Sequence, residues 1–194
     1  MKIRTLISTM VLALAFTTNV SAADKVKIGI AAEPYPPFAS PDASGKWVGW
    51  EVEIIGAVCS AAKLDCEIKP VAWDGIIPSL TGGQIDVIMA SLSITEERSK
   101  TIDFSNHYYN TPAVIVADKN LKVDASPESL KGKIVGIQAS TIHQAYAEKY
   151  FKDSTIKTYQ TQDEANQDLV SGRIDATQAD SIAMSDFVKG DTGK

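Results

Sequence analysis

Seven residues from Leu80 to Asp86, Leu-Thr-Gly-Gly-Gln-Ile-Asp, recur from Leu169 to Asp175 as Leu-Val-Ser-Gly-Arg-Ile-Asp. Each copy reads as a helix end, a glycine stop and the opening of a strand, so the chain is expected to build the same junction twice, in two similar halves. Gly-x-Ile-Asp is short, and two unrelated helix-to-strand junctions could also look alike. In open α/β sheets, ligands bind beyond the carboxyl ends of the strands. Ser91 and Asp180 each lie five residues past the aspartate of their copy, which makes them the first candidates for a shared cleft.

The rest of the chain supplies the elements such halves need. Val26, Ile28 and Ile30 alternate as in a strand, and Glu33-Pro34-Tyr35-Pro36-Pro37-Phe38 must then form a loop, because proline cannot continue a ladder. Val52, Ile55, Val58, Cys59 and Ala62 fall at helical spacing, which predicts one apolar face on a helix that starts near Glu51. A second helix is expected from Asp74 to Thr81, stopped by Gly82-Gly83, and a strand from Ile85 to Ala90. Further on, Ile134 to Gln138 and Ile156 to Tyr159 read as strands, and Thr161-x-x-Glu164 offers a capping box to the following helix. Thr111 to Ala117 is apolar and rich in β formers, as a crossover strand and hinge would be. The alternation is that of an α/β protein.

Residues 1–23 carry Lys2 and Arg4, then an apolar run from Leu6 to Phe16, then small residues at Ser21, Ala22 and Ala23. This is the pattern of a cleaved signal peptide, and the run is shorter than the ~20 residues a bilayer crossing needs. Formal charge is −5 for the whole chain and more negative without Lys2 and Arg4, which argues against a nucleic-acid surface. Export also bears on the two cysteines. Oxidising surroundings permit a Cys59–Cys66 disulfide, although two buried thiols would fit the sequence as well. Cys59, Cys66, His107 and His143 lack the number and spacing of a metal site, and no cofactor is expected.

Ser91-Leu92-Ser93-Ile94-Thr95-Glu96-Glu97-Arg98 puts hydroxyls at a strand end and helix start, with a guanidinium close behind. Such a set suits a carboxylate, because hydroxyls and free N–H groups donate to the anion and arginine can grip both oxygens. The alternative is that Ser93 or Thr95 only caps the helix while Arg98 pairs with Glu96 or Glu97. Asp180 offers the complementary charge for an ammonium group. Tyr35 and Trp73 could present flat faces to an aliphatic chain or serve as core.

Taken together, Pro34-Tyr35-Pro36-Pro37-Phe38, Gly49-Trp50-Glu51-Val52-Glu53, Trp73-Asp74-Gly75-Ile76-Ile77-Pro78-Ser79-Leu80, Ser91 to Arg98, Ser129-Leu130-Lys131-Gly132 and Gly172-Arg173-Ile174-Asp175 resemble, in order, the signatures of periplasmic polar amino-acid-binding proteins. The branch they resemble holds the histidine, lysine/arginine/ornithine and opine binders. The resemblance implies a two-lobed periplasmic-binding fold of type II, in which each lobe is a mixed, mostly parallel sheet flanked by helices and crossover strands join the lobes. It implies a first lobe over residues 24–113, and a hinge strand with the second lobe over residues 114–194. By the same resemblance, Tyr35 and Trp73 sandwich the ligand side chain, Ser91, Ser93, Arg98 and Thr141 hold the α-carboxylate, and Asp180 takes the α-amino group. Cys59 and Cys66 match a disulfide of the family.

Three departures qualify this. Ala139-Ser140-Thr141-Ile142-His143 stands where many relatives have Gly-Thr-Thr, which brings in His143 as a new side chain. Ala32 stands where basic-ligand binders often have an acid, with Glu33 or Glu51 as replacements. The chain also stops at Lys194, so a truncated first lobe is expected, lacking a return segment. The functional expectation is a non-enzymatic, monomeric periplasmic protein that closes on a basic L-amino acid or opine and delivers it to an ABC-transporter permease. Its rivals are a secreted dehydratase on the same fold and a receptor's sensing domain.

Overall fold

The structure is a computed structural model that describes residues 25–190, and the expected signal segment lies outside them. In chain order the first half contains β1 (Val26–Ala31), a small antiparallel pair β2 (Ser40–Pro41) and β3 (Trp47–Val48), α1 (Trp50–Ala62) and β4 (Cys66–Val71). A 3-10 turn at Trp73–Gly75 leads into α2 (Ile76–Thr81), then β5 (Val87–Ile88) and α3 (Glu96–Ser99). The second half contains β6 (Ala113–Ala117), β7 (Ile134–Gln138), α4 (Ile142–Tyr150), β8 (Thr155–Tyr159), α5 (Gln162–Val170), β9 (Ala176–Asp180) and α6 (Ser181–Lys189). One sheet has the order β4-β1-β5, all parallel. The other has the order β6-β9-β7-β8, with β6 antiparallel to β9 and the rest parallel.

The repeated heptapeptide makes the same structure twice. Gly83 and Gly172 both adopt left-handed backbone, at φ 70° and 69°, where a side chain would be strained. In each copy the glycine N–H closes the helix, onto the Leu80 carbonyl at 3.1 Å and the Leu169 carbonyl at 3.0 Å. The isoleucine that follows is buried, Ile85 in one half and Ile174 in the other. Each aspartate then fastens the central strand: Asp86 accepts from the Lys27 N–H at 2.8 Å, and Asp175 accepts from the Ile134 N–H at 2.7 Å. Opposite each isoleucine the central strand carries a glycine. A Cβ on Gly29 would lie 2.3 Å from Ile85 Cδ1, and one on Gly136 would lie 2.4 Å from Ile174 Cδ1. The matched Ile-Gly-Ile at 28–30 and Val-Gly-Ile at 135–137 were therefore readable as part of the repeat.

Each sheet is covered on both faces. In the first half, Ile28 and Ile30 pack with Ile55 and Cys59 of α1, while Ile85 packs with Ile76 of α2 on the other side. In the second half, Val135, Ile137 and Ala176 pack with Ala147 of α4 and the buried Phe151. Two sequence expectations are corrected. Val58 and Ala62 are not on the buried face of α1: the buried stripe runs Glu51, Ile55, Cys59 at a spacing of four, which carries it away from Val58, 55 % exposed, and Ala62. The strand expected over Ile85 to Ala90 is shorter: β5 is Val87–Ile88, flanked by bonds from the Asp86 N–H to the Lys27 carbonyl and from the Met89 N–H to the Gly29 carbonyl, both 2.8 Å, and Ser91 then takes left-handed backbone at φ 53°. Cys59 and Cys66 form a disulfide that ties α1 to β4, and closing so short a loop is worth about 2.5 kcal/mol by chain entropy.

The capping box is present: Thr161 Oγ1 accepts from the Glu164 N–H at 3.1 Å and Glu164 accepts from the Thr161 N–H at 3.2 Å. At the other end of α5, the buried Asp168 accepts from Arg173 Nε at 2.5 Å, Lys157 Nζ at 2.7 Å and Tyr159 Oη at 2.6 Å. These donors, Arg173 foremost, hold the Asp168 carboxyl well below the usual carboxylate range. A carboxyl depressed on folding contributes stability in full above its unfolded value of about 3.9, and that contribution is lost as pH falls through the folded value. Asp168→Asn is therefore expected to lower the urea midpoint at neutral pH, and this handicap should shrink as pH falls from about 4 toward about 2. An equal deficit at both pH values would remove Asp168 as an acid-sensitive tie.

Candidate functional site

Four strand ends converge on one cavity of about 140 Å³: Ala31 of β1, Ala90 just past β5, Gln138 of β7 and Ala179 of β9 all line it. That is where open α/β sheets place ligands, because parallel strands present their carboxyl ends on the same side. Of the residues singled out from the sequence, Tyr35, Trp73, Ser91, Ser93, Arg98, Thr141 and Asp180 line this cavity, as do Glu33 and His143.

Asp180 ends β9 and joins the two halves. Its Oδ2 accepts from Tyr35 Oη at 2.6 Å, so a loop of the first half reaches the second through this bond. Burial first, then the negative charge of Asp180, push the Tyr35 phenol far above its ordinary value, so it remains a donor. Tyr35 is itself set by a tight turn, in which its N–H bonds the Ala39 carbonyl at 2.7 Å and its ring stacks on Phe38 at 5.4 Å. On the other side, His143 Nε2 lies 3.5 Å from Asp180 Oδ1.

Arg98 projects from α3 between the halves. Nη1 donates to the Ser93 carbonyl at 2.9 Å and Nη2 to the Ser140 carbonyl at 3.0 Å. The guanidinium sits 5.8 Å from the centre of the Trp73 ring, whose Nε1 donates to the same Ser140 carbonyl at 3.3 Å. Ser140 is held at φ 60°, an uncommon backbone for a serine, which turns its carbonyl to both donors. Burial lowers the Arg98 pKa, though a guanidinium remains charged at neutral pH. The surface pairing of Arg98 with Glu96 or Glu97 does not occur. Glu97 pairs with Lys100 at 2.9 Å instead. Thr95 caps α3 by accepting from the Arg98 N–H at 3.1 Å, so capping and the cavity are served by different hydroxyls. Thr141 both caps α4, accepting from the Gln144 N–H at 3.2 Å, and lines the cavity.

The two acids weighed as replacements part company. Glu33 lines the cavity; its Oε1 accepts from the Trp73 N–H at 3.3 Å and its buried Oε2 has no partner. Glu51 does not reach the cavity. It is 1 % exposed and lies behind Ser91, where it accepts from the Ser91 N–H at 2.7 Å, from Ser91 Oγ at 3.0 Å and from Tyr108 Oη. It shares a helix face with Ile55 and Cys59, and three donors make its burial tolerable. Gln138, Gln162 and Asp163 also line the cavity and were not singled out. The capping box at Thr161 held the clue, since it starts α5 at the carboxyl end of β8.

Residues 26–180 match the bacterial extracellular solute-binding proteins, family 3. The chain is 41 % identical over 177 residues to the L-arginine-binding protein of Pseudomonas aeruginosa, covering 89 % of this chain and 68 % of that protein. It is 37 % identical over 189 residues to the histidine-binding periplasmic protein of Salmonella typhimurium, covering 95 % and 73 %. Among solved structures, an ancestral arginine-binding protein bound to arginine superposes with a TM-score of 0.81 at 37 % identity, over 87 % of this chain and 76 % of that one. Fold, cavity position and these likenesses agree, and the chain belongs to the bacterial extracellular solute-binding proteins, family 3.

Proposed function

We propose that this protein captures a basic L-amino acid, arginine first among the candidates, in the cavity between its halves. The observation that carries the reading is the charge inventory of that cavity: Glu33, Asp163 and Asp180 face a single cation, Arg98. Arg98 and Ser93 suit the α-carboxylate, joined by Ser91 and Thr141 once their hydroxyls turn from Glu51 and the Gln138 carbonyl, and Asp180 suits the α-ammonium group. That leaves the buried, unpartnered oxygen of Glu33 for a cationic side chain, and a buried carboxylate oxygen without a donor is costly until one arrives. Trp73 and Tyr35 would cover the aliphatic stem between these charges.

Binding that touches both halves favours the closed arrangement, and a permease of an ABC transporter would recognise that form. We place the hinge near β6, between a first lobe over residues 24–113 and a second over residues 114–194. The protein would act as a monomer in the periplasm after removal of residues 1–23. No helix among the described residues is long and apolar enough to cross a membrane. The relatives are named as binding proteins, and this chain is likewise not an enzyme.

A thermal-shift screen tests the reading. At a hundred times its dissociation constant, a ligand stabilises the folded protein by ~2.7 kcal/mol, which raises Tm by several degrees. Arginine, lysine, ornithine or histidine should give that rise and glutamate should not. A cooperative melt that no basic amino acid moves would count against the cavity as a basic amino-acid site.

A further inference from the structure

We propose that His143 is a second acceptor for the ligand's α-ammonium group, shared with Asp180, and that protonation of its ring expels the ligand. The inference rests on the cavity reading above and adds a control to it. His143 is 6 % exposed, on the first turn of α4, and lines the cavity with Nε2 unpartnered. At 3.5 Å from Asp180 Oδ1 it is too distant for a good hydrogen bond to that oxygen. Buried polar atoms are rarely left without a partner. Because Tyr35 already occupies Oδ2, the free acceptors on this wall are Oδ1 and Nε2. Two acceptors at that separation can be reached by one nitrogen carrying several N–H groups, which is what an α-ammonium offers.

A neutral imidazole with its proton on Nδ1 presents a lone pair at Nε2. Once protonated, the ring has no lone pair, places a positive charge beside the incoming ammonium and becomes a competing ion-pair partner for Asp180. Five other charged or titratable groups face the cavity: Glu33 and Tyr35 from the loop after β1, Arg98 from α3, Asp163 from α5 and Asp180 from β9. Carboxylates and guanidinium groups ordinarily keep their charge between about pH 5.5 and 8, while imidazole is the side chain that changes in that range. His107, the other histidine, is exposed and lies outside this cavity.

The experiment is calorimetric titration of L-arginine into the wild-type chain, His143→Asn and His107→Asn at about pH 8 and about pH 5.5, a window chosen around imidazole titration. Wild type and His107→Asn should weaken by about tenfold or more on acidification, one proton limiting the change to tenfold per pH unit. His143→Asn should bind more weakly at the higher pH and show little further loss. As a measurement independent of any variant, wild-type binding near about pH 6.5 should release protons, read from the binding heat in buffers of different ionisation enthalpy. A slope in His143→Asn equal to that of wild type, or binding without proton release, overturns the proposal while leaving the cavity reading intact. No heat at the higher pH with arginine, lysine, ornithine or histidine overturns both.

Discussion

Asp180→Ala is expected to remove amino-acid binding while leaving a cooperatively folded protein. Truncating one partner of a buried, hydrogen-bonded charge pair costs about 2–5 kcal/mol, a loss of roughly 30-fold to several thousand-fold in affinity. Here the loss has two parts. The α-ammonium would have no anion to meet, and Tyr35 Oη would lose its acceptor at 2.6 Å, which loosens the wall of the cavity. Arg98→Ala should do comparable damage from the carboxylate end. Arg98→Lys should recover only part of it, because an ammonium cannot reach the Ser93 and Ser140 carbonyls and a carboxylate as a planar guanidinium can. Isothermal titration of the three variants with L-arginine checks this. Wild-type affinity in Asp180→Ala and Arg98→Ala, with the fold verified by a two-state melt, would discard the assigned clamp.

Gly49→Ala should be among the most destabilising single changes available in the chain. Gly49 precedes α1 at φ 125° and ψ 173°, a conformation open essentially to glycine alone. A Cβ there would stand 2.4 Å from the Phe38 carbonyl oxygen and 2.7 Å from its carbon, both backbone atoms with no rotamer to escape through. Strain of ~1–3 kcal/mol and a backbone clash together put the expected loss at about 3 kcal/mol or more. Gly45→Ala is the matched comparison. Its φ is 82° but no atom lies within 4 Å of the added carbon, so it should cost only about 1–2 kcal/mol. Urea midpoints distinguish them, and equal losses at the two sites would mean that the contact with Phe38 carries no weight. Gly49 also sets the start of the helix that carries Glu51, so the damage should extend to the Ser91 turn.

The fold was legible wherever a local rule governs it. The Gly-x-Ile-Asp repeat, the Thr161 capping box and the β7 strand from Ile134 to Gln138 appear as the sequence suggests, because glycine stops, caps and alternation act within a few residues. What the sequence concealed depends on partners far along the chain. Glu51 is an acid on an otherwise apolar helix face, and what satisfies it there, Ser91 and Tyr108, lies some 40 and 57 residues away. In the cavity, all seven residues that resemblance named are among the lining, but the direction in which each group points was not readable. Arg98 could equally have paired with a neighbouring glutamate on α3, and the carbonyls of Ser93 and of Ser140, the latter from the other half, explain its course.

The matched junctions also bear on how a symmetric scaffold can recognise an asymmetric molecule. Gly29 and Ile85 interlock as Gly136 and Ile174 do, and Asp86 and Asp175 each fasten a strand N–H, so packing and hydrogen bonding constrain both copies alike. Five residues beyond each aspartate that constraint ends, and the two copies have diverged: one ends in a serine hydroxyl, the other in a carboxylate. Two like junctions thereby present unlike groups to the cavity. The polarity of the site is set just beyond the repeat, where Glu51 holds the Ser91 hydroxyl and Tyr35 holds the Asp180 carboxylate, while the junctions behind them are built alike.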